Sequence, residues 1–142
     1  MLFRSGGGDL DILLQKIDPS GNQIWLKTYG GFGNDYARDI LATADGNYMI
    51  VGSSNSQSTT GQNANLIKID TAGTVIWNKT YGGPANDHGC IVKQCSDGGY
   101  IMLGQTFSYG VGNGDAWLVK MNSTGDTTWT KTFGGEIGRA VV

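Results

Sequence analysis

Trp25-Leu26-Lys27-Thr28-Tyr29-Gly30-Gly31 returns 52 residues later as Trp77-Asn78-Lys79-Thr80-Tyr81-Gly82-Gly83, and again as Trp129-Thr130-Lys131-Thr132-Phe133-Gly134-Gly135. Lys16, Lys68 and Lys120 keep the same interval, as do Gly21, Gly73 and Gly125. Between residues 11–52 and 63–104, 18 of 42 positions are identical without a gap, so register is held across the whole unit. Self-similarity at a fixed period of this size marks a repeat architecture, in which each unit buries its apolar face only against its neighbours.

Each unit reads as four strands. The first is Asp11–Asp18, ended by Asp18-Pro19-Ser20-Gly21, whose Asp, Pro and Gly occupy the places a type I turn favours. The second is Gln23–Tyr29, closed by Gly30-Gly31, and the third is Ala37–Thr43. Asp45-Gly46 then supplies a tight hairpin turn into the fourth, Tyr48–Gly52. A loop rich in Ser, Gly, Thr and Gln (53–62) follows, and the cycle restarts at Asn63. Four short strands in 52 residues is the size of a propeller blade. The expected fold is therefore all-β: a partial β-propeller of four-stranded antiparallel blades, about 2.5 of them, in units 11–62, 63–114 and 115–136.

Composition agrees with an all-β chain. Glycine supplies 24 of 142 residues, more than twice its usual share, while Glu occurs once and charged residues make up 15%. A helical bundle needs Ala, Glu, Lys and Leu, so that class is excluded. With 10% aromatic and 39% hydrophobic residues the chain can build a core, which excludes disorder. No apolar run approaches the length of a membrane span. A net charge of −2 argues against nucleic acid as a partner. Cys90 and Cys95 fall in one strand by this reading, too far apart to bridge and on opposite faces, so two free thiols are expected. Two Cys and one His do not complete a structural zinc site.

The repeat fails at both ends. Met1–Ser5 has no counterpart in residues 53–57, and Ile137–Val142 matches nothing. Leu2-Phe3-Arg4-Ser5 reads as the in-frame translation of a common sequencing adapter, and Ile137-Gly138-Arg139-Ala140 as its reverse strand. The expected organisation is thus a non-native end at 1–5, a repeat fragment of metagenomic kind at 6–136, and a second non-native end at 137–142.

Positions that recur are read as structural. Trp25, Lys27 and Tyr29 alternate, so they share one strand face, as do Trp77, Lys79, Tyr81 and Trp129, Lys131, Phe133. They would serve as an aromatic platform for planar ligands or as a packing ladder between blades. Recurrence in every unit favours the ladder. Asp35 and Asp87 follow the Gly-Gly turns at a fixed spacing. They would ligate calcium or accept turn amides, and one carboxylate per loop is too few oxygens for calcium. The Gly-rich stretches Gly6–Gly8 and Gly110–Gly114 read as loops between blades.

Positions that break the repeat are the candidates for chemistry. His88 stands where Tyr36 does, Cys90 where Arg38 does, and Trp117 where Leu13 and Asn65 do, while Tyr109 lies in the Gly-rich loop. His88 adjoins Asp87, but no G-x-S-x-G elbow supplies a nucleophile, so no catalytic residue is expected. Tyr109, Trp117 and His88 are the candidate binding residues, since loops on a rigid scaffold are where binding usually sits.

The unit W-x-K-T-[YF]-G-G, N-D, D-G-x-Y and D-x-W-L-V-K, carried over Asp9 to Gly135, resembles a bacterial secreted β-propeller repeat family. That resemblance implies long arrays in exported or cell-surface proteins, often with a C-terminal sorting domain, and no agreed activity. Ile69-Asp70-Thr71-Ala72-Gly73 before Trp77 also resembles the tryptophan-docking repeat of quinoprotein propellers, where the Trp locks adjacent blades. The cofactor and metal residues of those enzymes have no match here. The expected function is a non-catalytic repeat module of a larger exported protein, binding protein or glycan at the cell surface or acting as a spacer. Its other partners are the missing blades of the same chain, and no cofactor is expected. The alternatives are the scaffold of a quinoprotein-like or hydrolytic enzyme whose active residues lie elsewhere, and a calcium-dependent adhesin using the recurring Asp positions.

Overall fold

The computed structural model describes residues 2–3, 10–58, 60–111 and 113–134. They form eleven strands and, among the described residues, no helix. In chain order these are β1 (Leu2–Phe3), β2 (Asp11–Ile17), β3 (Gln23–Tyr29), β4 (Asp35–Ala42), β5 (Tyr48–Ser54) and β6 (Asn63–Ile69). They continue as β7 (Val75–Tyr81), β8 (Asp87–Gln94), β9 (Tyr100–Thr106), β10 (Asp115–Met121) and β11 (Thr127–Phe133). Every strand pairing is antiparallel. The strands make three sheets: β1-β2-β3, β4-β5-β6-β7 and β8-β9-β10-β11. The rest of the end segments 1–5 and 137–142, and Gly6–Gly8, lie outside the described residues.

The sheets are offset from the units read in sequence. Asp45-Gly46 and the loop 55–62 both join neighbours within the middle sheet. The Gly30-Gly31 and Gly82-Gly83 segments carry the chain from one sheet to the next. The four-stranded sheets therefore span 35–81 and 87–133, half a unit out of phase with 11–62 and 63–114. Gly110–Gly114, expected between sheets, lies instead in the connection between β9 and β10 of one sheet. Cys95 falls one residue past β8 rather than inside it, and both cysteines are free thiols.

Two apolar interfaces join the three sheets. Between the first and middle sheets, Ile12 and Tyr29 meet Ile50, Ile67 and Ile69, with Trp25 and Tyr48 packed alongside. Between the middle and last sheets, Met49, Val51, Leu66 and Tyr81 meet Val92, Tyr100, Met102, Trp117 and Val119. The middle sheet thus has both faces covered: Met49, Ile50 and Val51 are consecutive and all buried. Such doubly buried strands lose the apolar–polar alternation of a half-exposed sheet. By contrast β10 alternates between buried and part-exposed residues, because only one of its faces is covered.

The recurring side chains bind each sheet to the turn of the following one. Trp25 Nε1 donates to the Thr71 carbonyl at 3.1 Å, and Tyr29 Oη to the Gly73 carbonyl at 2.8 Å. One sheet on, Tyr81 Oη donates to the Gly125 carbonyl at 2.7 Å, and Lys79 pairs with Asp126 at 2.5 Å. Lys16 lies over the Tyr48 ring and Lys68 over the Tyr100 ring, at 5.6 and 5.8 Å, adding a cation–π contact at each interface.

Candidate functional site

The site is built on a buried carboxylate. Asp87 opens β8 and is fully buried. It accepts from the Gly83 amide at 2.8 Å, from Ser108 Oγ at 2.6 Å and from Thr106 Oγ1. Ser108 Oγ in turn accepts from the Ala85 amide at 3.0 Å. Three donors from two segments are so tied to one side chain, which satisfies its buried oxygens. Asp35 makes the matching knot 52 residues earlier, accepting from the Gly31 amide at 3.0 Å and Ser56 Oγ at 2.6 Å.

The second knot aims an aromatic ring. Thr106 Oγ1 accepts from the Tyr109 amide at 3.1 Å, and Tyr109 Oη donates to the Gly82 carbonyl at 2.8 Å. With both ends held, the ring lies 5.8 Å from that of Trp117, tilted by 44°. Gln57, which carries no ring, occupies the equivalent place in the preceding unit. A cavity of about 420 Å³ opens beside the pair, lined also by Tyr81, Gly82, Thr127 and Thr130. Among the described residues its lining holds no Asp, Glu, Lys, Arg or His. Trp117 is 2% exposed, and its indole N–H has no acceptor among the described residues.

His88 does not line this cavity. Its ring meets Phe107 edge-on at 6.4 Å, and its Nδ1 is buried without a partner among the described residues. Burial, with a contribution from the charge of Arg38, holds the imidazole below its ordinary value, while Asp87 pulls the other way. No serine or cysteine stands in hydrogen-bond contact with it among the described residues, so the geometry assembles no nucleophile–base pair there. Among the described residues no group of three or more His, Cys, Asp and Glu gathers as a metal cluster would. No family model matches this chain, and no curated protein is significantly similar to it.

The structure therefore places Tyr109 and Trp117 together and His88 elsewhere. Trp25 and Trp77 lie in the interfaces between sheets, whereas Trp129 is 41% exposed on the outer face of the last sheet. Ser56, Ser108 and Thr106 hold the loops and were not singled out by chemistry. Their signal is the interval of 52 residues that makes Ser108 the counterpart of Ser56.

Proposed function

We propose that this chain is a non-catalytic repeat module, part of a β-propeller in a larger exported bacterial protein. In this reading the two four-stranded sheets are blades and the first sheet holds the outer strands of a third. The observation that carries the reading is the last sheet's outer face. Leu103, Leu118, Trp129 and Phe133 repeat, residue for residue, Val51, Leu66, Trp77 and Tyr81 of the middle sheet. On the middle sheet these are covered by the sheet that follows; on the last sheet Leu103, Trp129 and Phe133 are 41–50% exposed. A face with this identity is made to be covered by another unit of the same kind. The module would then display its loops for protein or glycan, or set a distance at the cell surface.

Recovering the complete reading frame from the source tests this. Further units of 52 residues, an export signal and a sorting or adhesion domain are the expected finding. A contiguous catalytic domain, or neighbouring units bearing cofactor ligands, would replace the reading with that of an enzyme scaffold.

A further inference from the structure

We propose that the free edge of β2 and the groove beside it receive a β-hairpin of this same repeat, carried by polypeptide outside residues 1–142, whose Asp-Gly turn brings a carboxylate to Lys16. The proposal rests on the reading of the first sheet as part of one repeat unit. β2 and β6 hold the same place in their units, 52 residues apart. β6 is paired along both edges, with β5 running beside all of Asn63–Ile69. β2 is paired with β3, but β1 meets its other edge only at Asp11 and Ile12. Among the described residues no strand pairs with Leu13–Ile17 on that edge. A row of unpaired backbone groups is a template for an added strand.

The groove and its charge say what fits there. At the later interface β8 packs against β4, β5 and β6, and Leu66, Val92 and Tyr100 are at most 1% exposed. Their counterparts at the earlier interface are Leu14, Ile40 and Tyr48. Ile40 is 47% exposed and the other two are part-exposed. The first sheet lacks full strands in the places of β4 and β5, and the space they would fill is open. A cavity of about 270 Å³ runs between Leu14, Ala37, Ile40 and Ile50, and one of about 190 Å³ continues past Lys16 to Tyr48. Lys68 pairs with Asp45 at 2.6 Å and Lys120 with Asp97 at 2.7 Å, each across 23 residues to the turn of the hairpin before it. The matching place for Lys16 falls ahead of Met1, and Lys16 donates to the Thr71 carbonyl instead. An apolar groove, an open strand edge and a lysine placed for a turn carboxylate together describe a hairpin like β4–β5. It differs from β4–β5 at one place. A Cβ built on Gly89 would meet Val51 Cγ2 at 2.6 Å, and Ala37, the counterpart of Gly89, carries that methyl, so the occupant has a side chain smaller than valine there.

The test adds a synthetic peptide with the sequence of residues 37–52 and the change Val51→Ala to the isotopically labelled 142-residue chain, and follows the backbone amide signals by NMR. A cyclised form is run beside the linear one, so that an unformed hairpin does not decide the result. The signals of Leu13–Ile17 and Ile40 are expected to move saturably, and the β2 amides on the free edge to exchange more slowly. Ile40→Lys in the chain puts a charge into the groove at an exposed position, and is expected to weaken binding at least tenfold. Asp45→Asn in the peptide is expected to weaken it about fivefold, and Lys16→Met in the chain to abolish that difference. The peptide that keeps Val51 should bind less tightly than the alanine form. No binding by either form overturns the proposal, as does movement confined to Leu103, Leu118 and Trp129 on the last sheet, or binding unaltered in Ile40→Lys. Failure to dock, with a hairpin of this repeat present upstream in the recovered reading frame, would sink this proposal and leave the module reading standing. A frame with no further repeat would sink the module reading whatever the peptide does.

Discussion

Gly21, Gly73 and Gly125 hold the same place in the same turn, with φ of +86°, +77° and +82°. Their surroundings differ. Nothing described lies within 4 Å of a Cβ built on Gly21, whereas one on Gly73 would meet Tyr29 Oη and Lys27 Cδ at 2.9 Å. The Lys27 stem can swing aside; Tyr29 Oη is held by its bond to the Gly73 carbonyl. Gly21→Ala should therefore cost about 1–2 kcal/mol from backbone strain alone. Gly73→Ala should cost about 1 kcal/mol more, because it also displaces the tyrosine bond. Urea unfolding of both variants checks the difference, and equal losses would mean the turn does not carry the sheet above it. His88 gives a pH prediction. Its folded-state value lies below the ordinary 6.5, so the unfolded chain binds the proton more tightly. Above about 6.5 the group is neutral in both states and contributes no pH dependence. As pH falls from there toward the lowered folded value, stability should decline, then level off. Melting temperature against pH should show this slope in the native chain, and His88→Gln should flatten it.

At the scale of elements, the Asp87 knot ties the start of β8 to the loop leaving β9. Removing the carboxylate in Asp87→Ala leaves the Gly83 amide and two hydroxyls without their acceptor, at a cost of about 3 kcal/mol. Thr106 and Ser108 would then no longer hold Tyr109, so amide exchange should quicken at residues 106–109 before it does in β10. Unchanged protection there would mean that the loop is fixed by its own packing. The strands themselves were legible: Gln23–Tyr29 is bounded by a Pro-Gly turn and a Gly-Gly pair, and period-two alternation does the rest. How strands group into sheets was not legible. Hydrophobic patterning cannot tell a connection that folds back beside its own strand from one that crosses to the next layer. Gly110–Gly114 looked like a passage between sheets and is a connection within one, while Gly30-Gly31, read as closing the second strand inside a unit, is the passage. Asp35 and Asp87 explain the difference, since each anchors the first residue of a new sheet to the glycine turn just left behind. At the candidate site, Tyr109 and Trp117 were visible as departures from the repeat, but their pairing depends on Gly82, which belongs to the preceding sheet's exit. No local pattern reports a contact 27 residues away.

The whole molecule is a stack with two unlike ends. One end presents Leu103, Trp129 and Phe133; the other presents Ile17, Ile24 and Leu26 of the first sheet, all 41–56% exposed. The two ends suit each other by the logic of the internal interfaces. Trp129 occupies the place from which Trp25 reaches the Thr71 carbonyl, and Pro19 of the first sheet's turn is the counterpart of Thr71. Lys131 stands where Lys79 pairs with Asp126; at the other end Asn22 holds the place of Asp126, and the turn's acidic residue is Asp18, the counterpart of Asp70. Phe133 lacks the hydroxyl with which Tyr81 bonds the Gly125 carbonyl, so an end-to-end contact would be weaker than the internal ones by about one hydrogen bond. A contact between two different faces of identical chains does not close on itself after two copies, and it grows into rings or filaments. The 142-residue chain should therefore self-associate with rising concentration. Sedimentation velocity over a dilution series should show a distribution that lengthens without stopping at a dimer. Leu103→Lys with Trp129→Lys places two charges on the outer face of the last sheet and touches neither internal interface. That variant should sediment as a monomer at every concentration while keeping the β-sheet signal in circular dichroism. If it still associates, the exposed face is not the contact, and the match between the two ends is a consequence of repetition alone.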